Sequence, residues 1–323
     1  QMISFCKKNN INHEICGKIV VANDDFEMKN LDNVYERGKK NGLNGLKFLS
    51  KSELKTREPY VVSKKSLLVP EEGIVDYKGV MKCLEKKIKE YGGTIKLSLN
   101  IKKIENKKNK IYINNIDDEF DLLINCSGLQ ADLTFKNLAK EKRPLKIVPF
   151  RGEYYKLTES AKKLVNHLIY PVGNPKFPFL GVHFTKMING DREVGPNAVL
   201  SLKREGYKNT DVSFLEMYDY MIYAGFLKFV SKNFLFCMNE FSTSFLKSSF
   251  LNKAKKLIPE LRSEDIYSGP AGVRAQAIKN NGELHMDFEV IRKKNQIHIL
   301  NAPSPAATAS LSIADHIIET YIK

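Results

Sequence analysis

Phe120-Asp121-Leu122-Leu123-Ile124-Asn125-Cys126-Ser127-Gly128 is the stretch on which the reading of this chain turns. A mostly apolar run long enough for a buried strand passes straight into a small residue and a glycine. Glycine at the carboxyl end of a strand lets a ligand come close to the backbone, and it serves a tight turn equally well. Residues upstream sharpen the reading. Residues 77–91 have helical period, with Asp76 placed as N-cap and Gly92-Gly93 as the stop. Residues 94–101 and 110–115 read as strands. Helix, glycine, strand, hairpin and strand in that order form the second half of a dinucleotide-binding lobe.

The rest of the chain alternates between two characters. Residues 2–10 have a mixed helical look, and Lys18-Ile19-Val20-Val21-Ala22 is a compact strand. Residues 31–41 read as an amphipathic helix. Residues 50–58 offer a serine cap and a short helix that stops before Pro59. From Leu145 the pattern turns to extended segments at 147–157, 167–172, 180–185 and 195–202, which look antiparallel. Residues 211–233 and 240–261 are helical by period. Strands return at 273–277 and 296–300, and a last helix runs from about 306 to 322, after Pro303-Ser304-Pro305. The expected fold class is α/β: a Rossmann-like lobe interleaved with a mostly antiparallel substrate-binding sheet. The expected division gives residues 1–70 and 145–270 mainly to the substrate lobe, and 71–144 and 271–323 to the nucleotide lobe.

The chain has 323 residues, 42% of them hydrophobic and 28% charged, which suits two intertwined lobes and excludes a wholly disordered chain. No run approaches the roughly 18–20 apolar residues of a membrane span. Residues 1–10 lack the long apolar run of a secretion signal. Lys and Arg total 52 against 37 Asp and Glu, a net charge of +15. No zinc-finger spacing, aromatic RNA-binding block or reading helix accompanies that charge, so a nucleic-acid partner is not expected. The Lys102–Lys110 run reads as a solvated hairpin or loop. The charge suits an anionic substrate or an acidic lipid surface. Cys6, Cys16, Cys83, Cys126 and Cys237 form no CxxC pair. They suggest neither a disulfide framework nor a metal site, and most are expected to be small buried residues in a reducing compartment.

Four segments could carry chemistry. Asn301-Ala302-Pro303-Ser304-Pro305-Ala306-Ala307-Thr308 follows a strand and opens a helix with small side chains. Free N–H groups at a helix start suit an anionic ligand atom; close helix packing is the plainer use. Arg274 stands alone in the uncharged stretch Gly269–Gln276, where it could fork a carboxylate or form a salt bridge. Arg151, in Pro149–Tyr155, has the same two readings, the second with a neighbouring carboxylate. His183 sits on an apolar strand, as a satisfied core histidine or as a general base.

Taken together, PFRGEYYKL (149–157), the long motif at 168–207, GPAGVRAQA (269–277) and NAPSPAATASLSIADHI (301–317) resemble the L-2-hydroxyglutarate dehydrogenase/oxidase family. That family is an FAD-dependent branch of the D-amino-acid-oxidase-like superfamily. CGKIVVA (16–22), GIVDY (73–77) and INCSGLQAD (124–132) resemble it too, in order, so the resemblance spans essentially the whole chain. Members open with a strand, a GxGxxG turn and a helix. This sequence has no GxGxxG, so the resemblance implies a chain that starts downstream of that element and is N-terminally incomplete.

The resemblance implies oxidation of L-2-hydroxyglutarate to 2-oxoglutarate, with hydride passing to flavin N5 and electrons leaving to a quinone-type acceptor or oxygen. It implies a cytoplasmic protein, with peripheral contact at the inner membrane as an option. A dicarboxylate needs cationic anchors. Arg274 matches the carboxylate-binding position, Arg151 is a second cation, and His183 is the base candidate. Ser127, Gly128 and Leu129 resemble the segment near the FAD phosphates and ribose. Asn301, Ser304, Pro305, Ala306, Ala307 and Thr308 resemble the helix start facing the flavin pyrimidine. Two rivals stay open: a related flavin oxidase of an amino acid or another 2-hydroxy acid, and an inactive remnant.

Overall fold

The computed structural model describes all residues except 100, 102, 114–115, 117, 174, 176–179, 236, 239 and 241–245. Lys102, parts of the strands expected at 94–101 and 110–115, part of the 168–207 motif and the start of the helix expected at 240–261 therefore lie outside the described residues.

A nine-stranded sheet dominates the fold. Strand Ile266–Lys279 pairs with Leu145–Leu157, which pairs in turn with Val199–Leu200 and with Arg192–Gly195. The sheet continues through His183–Lys186, Leu168–Pro171, Lys18–Ala22 and Lys65–Val69 to Lys47–Leu49. All these pairings are antiparallel except that of Leu168–Pro171 with Lys18–Ala22. Side chains alternate between faces along each strand. Ile19, Ile169, Phe184 and Val194 turn to one face and pack on Phe250, Leu257 and Leu261. Each buried side chain of this size contributes about 1.5–3 kcal/mol. His183, next to Phe184, therefore faces the other way.

A smaller three-stranded sheet runs Glu289–Lys293, Gln296–Asn301, Leu123–Asn125. The last two are parallel, with His298 opposite Asn125. Strand Leu123–Asn125 is at the sheet edge, and Leu122 and Ile124 are exposed beside an apolar cavity of about 520 Å³. Helix Tyr77–Glu90 is capped by Asp76 through the Gly79 N–H, and helix Lys51–Arg57 by a Ser50–Glu53 capping box.

Several expectations are corrected. Residues 94–99 form no strand; Leu97 is 83% exposed, and a strand without cross-strand partners or burial has little to hold it. The hairpin is instead Ile104–Lys107 with Lys110–Ile113, turning at Lys108 and Asn109 with φ of 49° and 64°. The run 120–126 breaks at Asp121, because Glu119–Phe120 joins that hairpin and Leu123–Asn125 joins the parallel pair. The helix expected at 31–41 begins six residues earlier, at Asp25, where Asp24 caps the Glu27 N–H. Residues 211–233 form two helices, Phe214–Met221 and Ala224–Lys232. Of the five cysteines expected to be mostly buried, only Cys6 and Cys16 are; Cys83 and Cys237 are half-buried and Cys126 is exposed.

Candidate active site

The sheet's strand order lays out the candidate chemistry as a row: Arg274, Tyr154, His183, Tyr170, Lys18. His183 is 8% exposed and stacks on Tyr170, with ring centroids 4.0 Å apart and planes at 21°. Its Nδ1 lies 2.9 Å from the Gly181 carbonyl oxygen. A carbonyl only accepts, so Nδ1 carries the proton and donates it, leaving Nε2 with a lone pair. Burial, with the positive charges of Arg274 and Lys18, pushes the imidazole down to about 4; only the Gly181 bond opposes it. The ring is therefore neutral near pH 7.

Arg274 hydrogen-bonds the Tyr154 side chain, and burial lowers its own proton affinity. Tyr154 is pushed up, chiefly by burial. Opposite His183 in the ladder stands Gly195, at φ 143°. A Cβ there would lie 2.8 Å from the Glu153 carbonyl oxygen and 3.1 Å from the Tyr154 ring. A side chain at that position would push into the Tyr154 backbone and ring, so glycine keeps Tyr154 where it is. At the far end, the Lys18 ammonium lies 5.3 Å from the Tyr170 ring centroid and 2.6 Å from Glu72.

Arg151 is committed elsewhere. Its Nη1 donates to the Lys208 carbonyl at 2.9 Å, and Nη2 bonds Glu153 at 3.1 Å and the Asn209 side-chain oxygen. Of the two sequence readings, the structure shows the internal ion pair.

The second group of candidates gathers at the carboxyl ends of the parallel pair, where α/β sheets take their ligands. Ser127 Oγ donates to Asn125 Oδ1 at 2.6 Å, and Asn125 Nδ2 donates to the Ala131 carbonyl and to His298 Nδ1. Gly128 is exposed at φ 52°, with nothing within 4 Å of where a Cβ would stand. Leu129 is half-buried, and its carbonyl accepts from Arg204. Asn301 is buried and donates to the His285 and Asp287 carbonyls, fixing the exit of its strand. Beyond it, helix Ala306–Ile317 starts with no side-chain cap, and Ser304, Pro305, Ala307 and Thr308 are exposed. Tyr77 and Thr308 share a 2.6 Å hydrogen bond at that helix start. The open glycine turn leaves room beside the backbone, and the uncapped, small-residue helix start offers free N–H groups; both features suit a flat, anionic group such as FAD.

Sequence reasoning missed Tyr154, Tyr170, Lys18 and Gly195. Tyr154 and Tyr170 sit inside the 149–157 and 168–207 segments but look like ordinary strand aromatics; only the cross-strand register sets them beside His183. The clue within reach was strand alternation, which puts Tyr170 opposite the apolar Ile169.

The chain matches the family model described as FAD dependent oxidoreductase over residues 3–320. It is 44% identical to an L-2-hydroxyglutarate dehydrogenase of Indibacter alkaliphilus, across 100% of this chain and 82% of that protein. It is 39% identical to an Escherichia coli L-2-hydroxyglutarate dehydrogenase, across 98% and 75%. Among solved structures, the FAD-bound L-alpha-glycerophosphate oxidase of Mycoplasma pneumoniae superposes with a TM-score of 0.74 at 18% identity, over 96% of this chain and 73% of that one. This last likeness establishes the fold.

Proposed function

Because the chain belongs to the FAD dependent oxidoreductase family, we propose that it oxidises L-2-hydroxyglutarate to 2-oxoglutarate. The observation that carries this reading is the convergence of a half-buried arginine and a buried, neutral histidine on one sheet face. Its support is 44% identity to a dehydrogenase of that name. Arg274 holds the C1 carboxylate by its two-point fork. His183 Nε2 takes the proton of the C2 hydroxyl. The C2 hydrogen leaves with its electron pair, so the carbinol becomes a ketone. Bound FAD supplies the acceptor for that hydride. Gly128 and its neighbours Ser127 and Leu129 hold one part of FAD, and the 301–308 helix start holds another.

Substrate binding itself tunes the base. Arg274 holds His183's proton affinity down by charge. A carboxylate docked on Arg274 cancels much of that charge, so His183 becomes a better proton acceptor once substrate is in place. Arg151 serves this site indirectly, by holding Glu153 and the 208–209 loop next to Tyr154.

The reading extends to a division of the chain, with residues 1–70 and 145–270 mainly binding substrate and 71–144 and 271–323 binding FAD. The Ile266–Lys279 strand crosses between the two. Electrons pass on to a quinone-type acceptor or oxygen. Among the described residues no helix is long and apolar enough to cross a membrane. A cytoplasmic site with peripheral membrane contact is part of the proposal.

The test is a substrate panel with FAD present: L-2-hydroxyglutarate, glycine, D-amino acids and glycerol 3-phosphate, with a dye acceptor. The reading expects turnover of the dicarboxylate far above the rest. Preferred oxidation of an amine, or no turnover of any substrate, would contradict it.

A further inference from the structure

Arg204 carries a charge into the interior, 1% exposed, away from the His183–Arg274 row. It follows strand Val199–Leu200, and its backbone N–H donates to Glu216 at 2.6 Å. Its guanidinium forks Asp132, Nη1 to Oδ1 at 2.6 Å and Nη2 to Oδ2 at 3.2 Å. The same Nη1 also donates to the Leu129 carbonyl. Asp132 is 0% exposed and takes Arg143 at 2.9 Å and the Ile147 N–H at 3.3 Å.

Stability alone gives little reason for such a cluster, since burying charges costs most of what pairing them returns. What the cluster supplies is fixed geometry. It ties helix Ala131–Ala139, which begins directly after the Ser127–Leu129 turn, to the strand Leu145–Leu157 and to the segment after Val199–Leu200. A lysine ammonium could pair with Asp132, but it lacks the planar fork that reaches Asp132 and Leu129 together.

We propose that Arg204 is a positioning residue for the cofactor turn: with Asp132 it anchors the Leu129 carbonyl and so holds Gly128 against FAD, coupling that turn to the substrate sheet. This rests on reading Ser127–Leu129 as the FAD-facing segment. The experiment compares the full chain with its Arg204→Lys and Asp132→Asn variants. Hydrogen exchange is followed at the Gln130 N–H, which donates to the Ser127 carbonyl at 2.9 Å, and at the 183–186 strand as a distant control. FAD affinity is then titrated by flavin fluorescence. Losing one charge-assisted bond should speed Gln130 exchange about tenfold and weaken FAD about tenfold. The 183–186 amides should exchange as before, and KM for substrate at saturating FAD should stay unchanged. A folded Arg204→Lys with wild-type exchange at Gln130, or with wild-type FAD affinity, overturns the proposal. If Arg204→Lys does not fold, the same measurements on Asp132→Asn decide it by the same outcomes. A wild-type chain that takes up no FAD, while Gln130 exchange still quickens in the variant, would instead count against the cofactor reading of the turn.

Discussion

At the scale of single residues, His183 ties function to stability. Its imidazole is pushed down to about 4 in the folded chain, against an ordinary value near 6.5. As pH falls through 6.5, the unfolded chain takes up a proton that the folded one refuses. Stability is therefore lost between about pH 6.5 and 4, and the loss levels off below 4. The shift corresponds to about 3 kcal/mol. His183→Gln should flatten the pH dependence of unfolding free energy in that window, relative to the parent chain. An unchanged slope in urea titrations at pH 4 to 7 would refute the burial argument. The same residue should set a kcat/KM acid limb in the free enzyme nearer 4 than 6.5, with His183→Gln lowering kcat. Arg274 acts through binding. Arg274→Met should raise KM roughly a hundredfold, from the loss of about 2–3 kcal/mol of charge-assisted hydrogen bonding. Unchanged steady-state KM would remove Arg274 from the carboxylate site.

At the scale of elements, the site depends on how strands are spaced and where one side chain is omitted. Gly195 sits at φ 143°, with the Glu153 carbonyl oxygen 2.8 Å from where a Cβ would be. Gly195→Ala should cost at least about 2 kcal/mol in chemical denaturation, combining backbone strain with a backbone clash. Because it displaces Tyr154, it should also weaken substrate binding. A variant as stable and active as the parent would show that the strand can shift freely. The 306–317 helix and the 296–301 strand follow from small residues after an apolar run, and the capped starts at Ser50 and Asp76 follow from local chemistry alone. Local chemistry could not pair Leu168–Pro171 with Lys18–Ala22, nor set Gly195 opposite His183, because register is decided by residues far apart in the chain. Residues 94–99 failed for the complementary reason: β-like composition without a partner does not make a strand.

At the scale of the whole molecule, the +15 charge has a kinetic consequence. A dianionic substrate is drawn toward a cationic protein, and dissolved salt screens that attraction. kcat/KM for L-2-hydroxyglutarate should fall several-fold between low and physiological ionic strength, with kcat little changed. A flat salt profile would show that the excess charge lies away from the approach to the site. Oxidation of the dicarboxylate is seen without any added acceptor in the visible absorption spectrum of the FAD-loaded chain, recorded before and after anaerobic addition of L-2-hydroxyglutarate. The flavin bands should bleach on addition, and should bleach far more slowly in Arg274→Met. Flavin bands that stay unbleached would show that the dicarboxylate is not the reductant of this flavin.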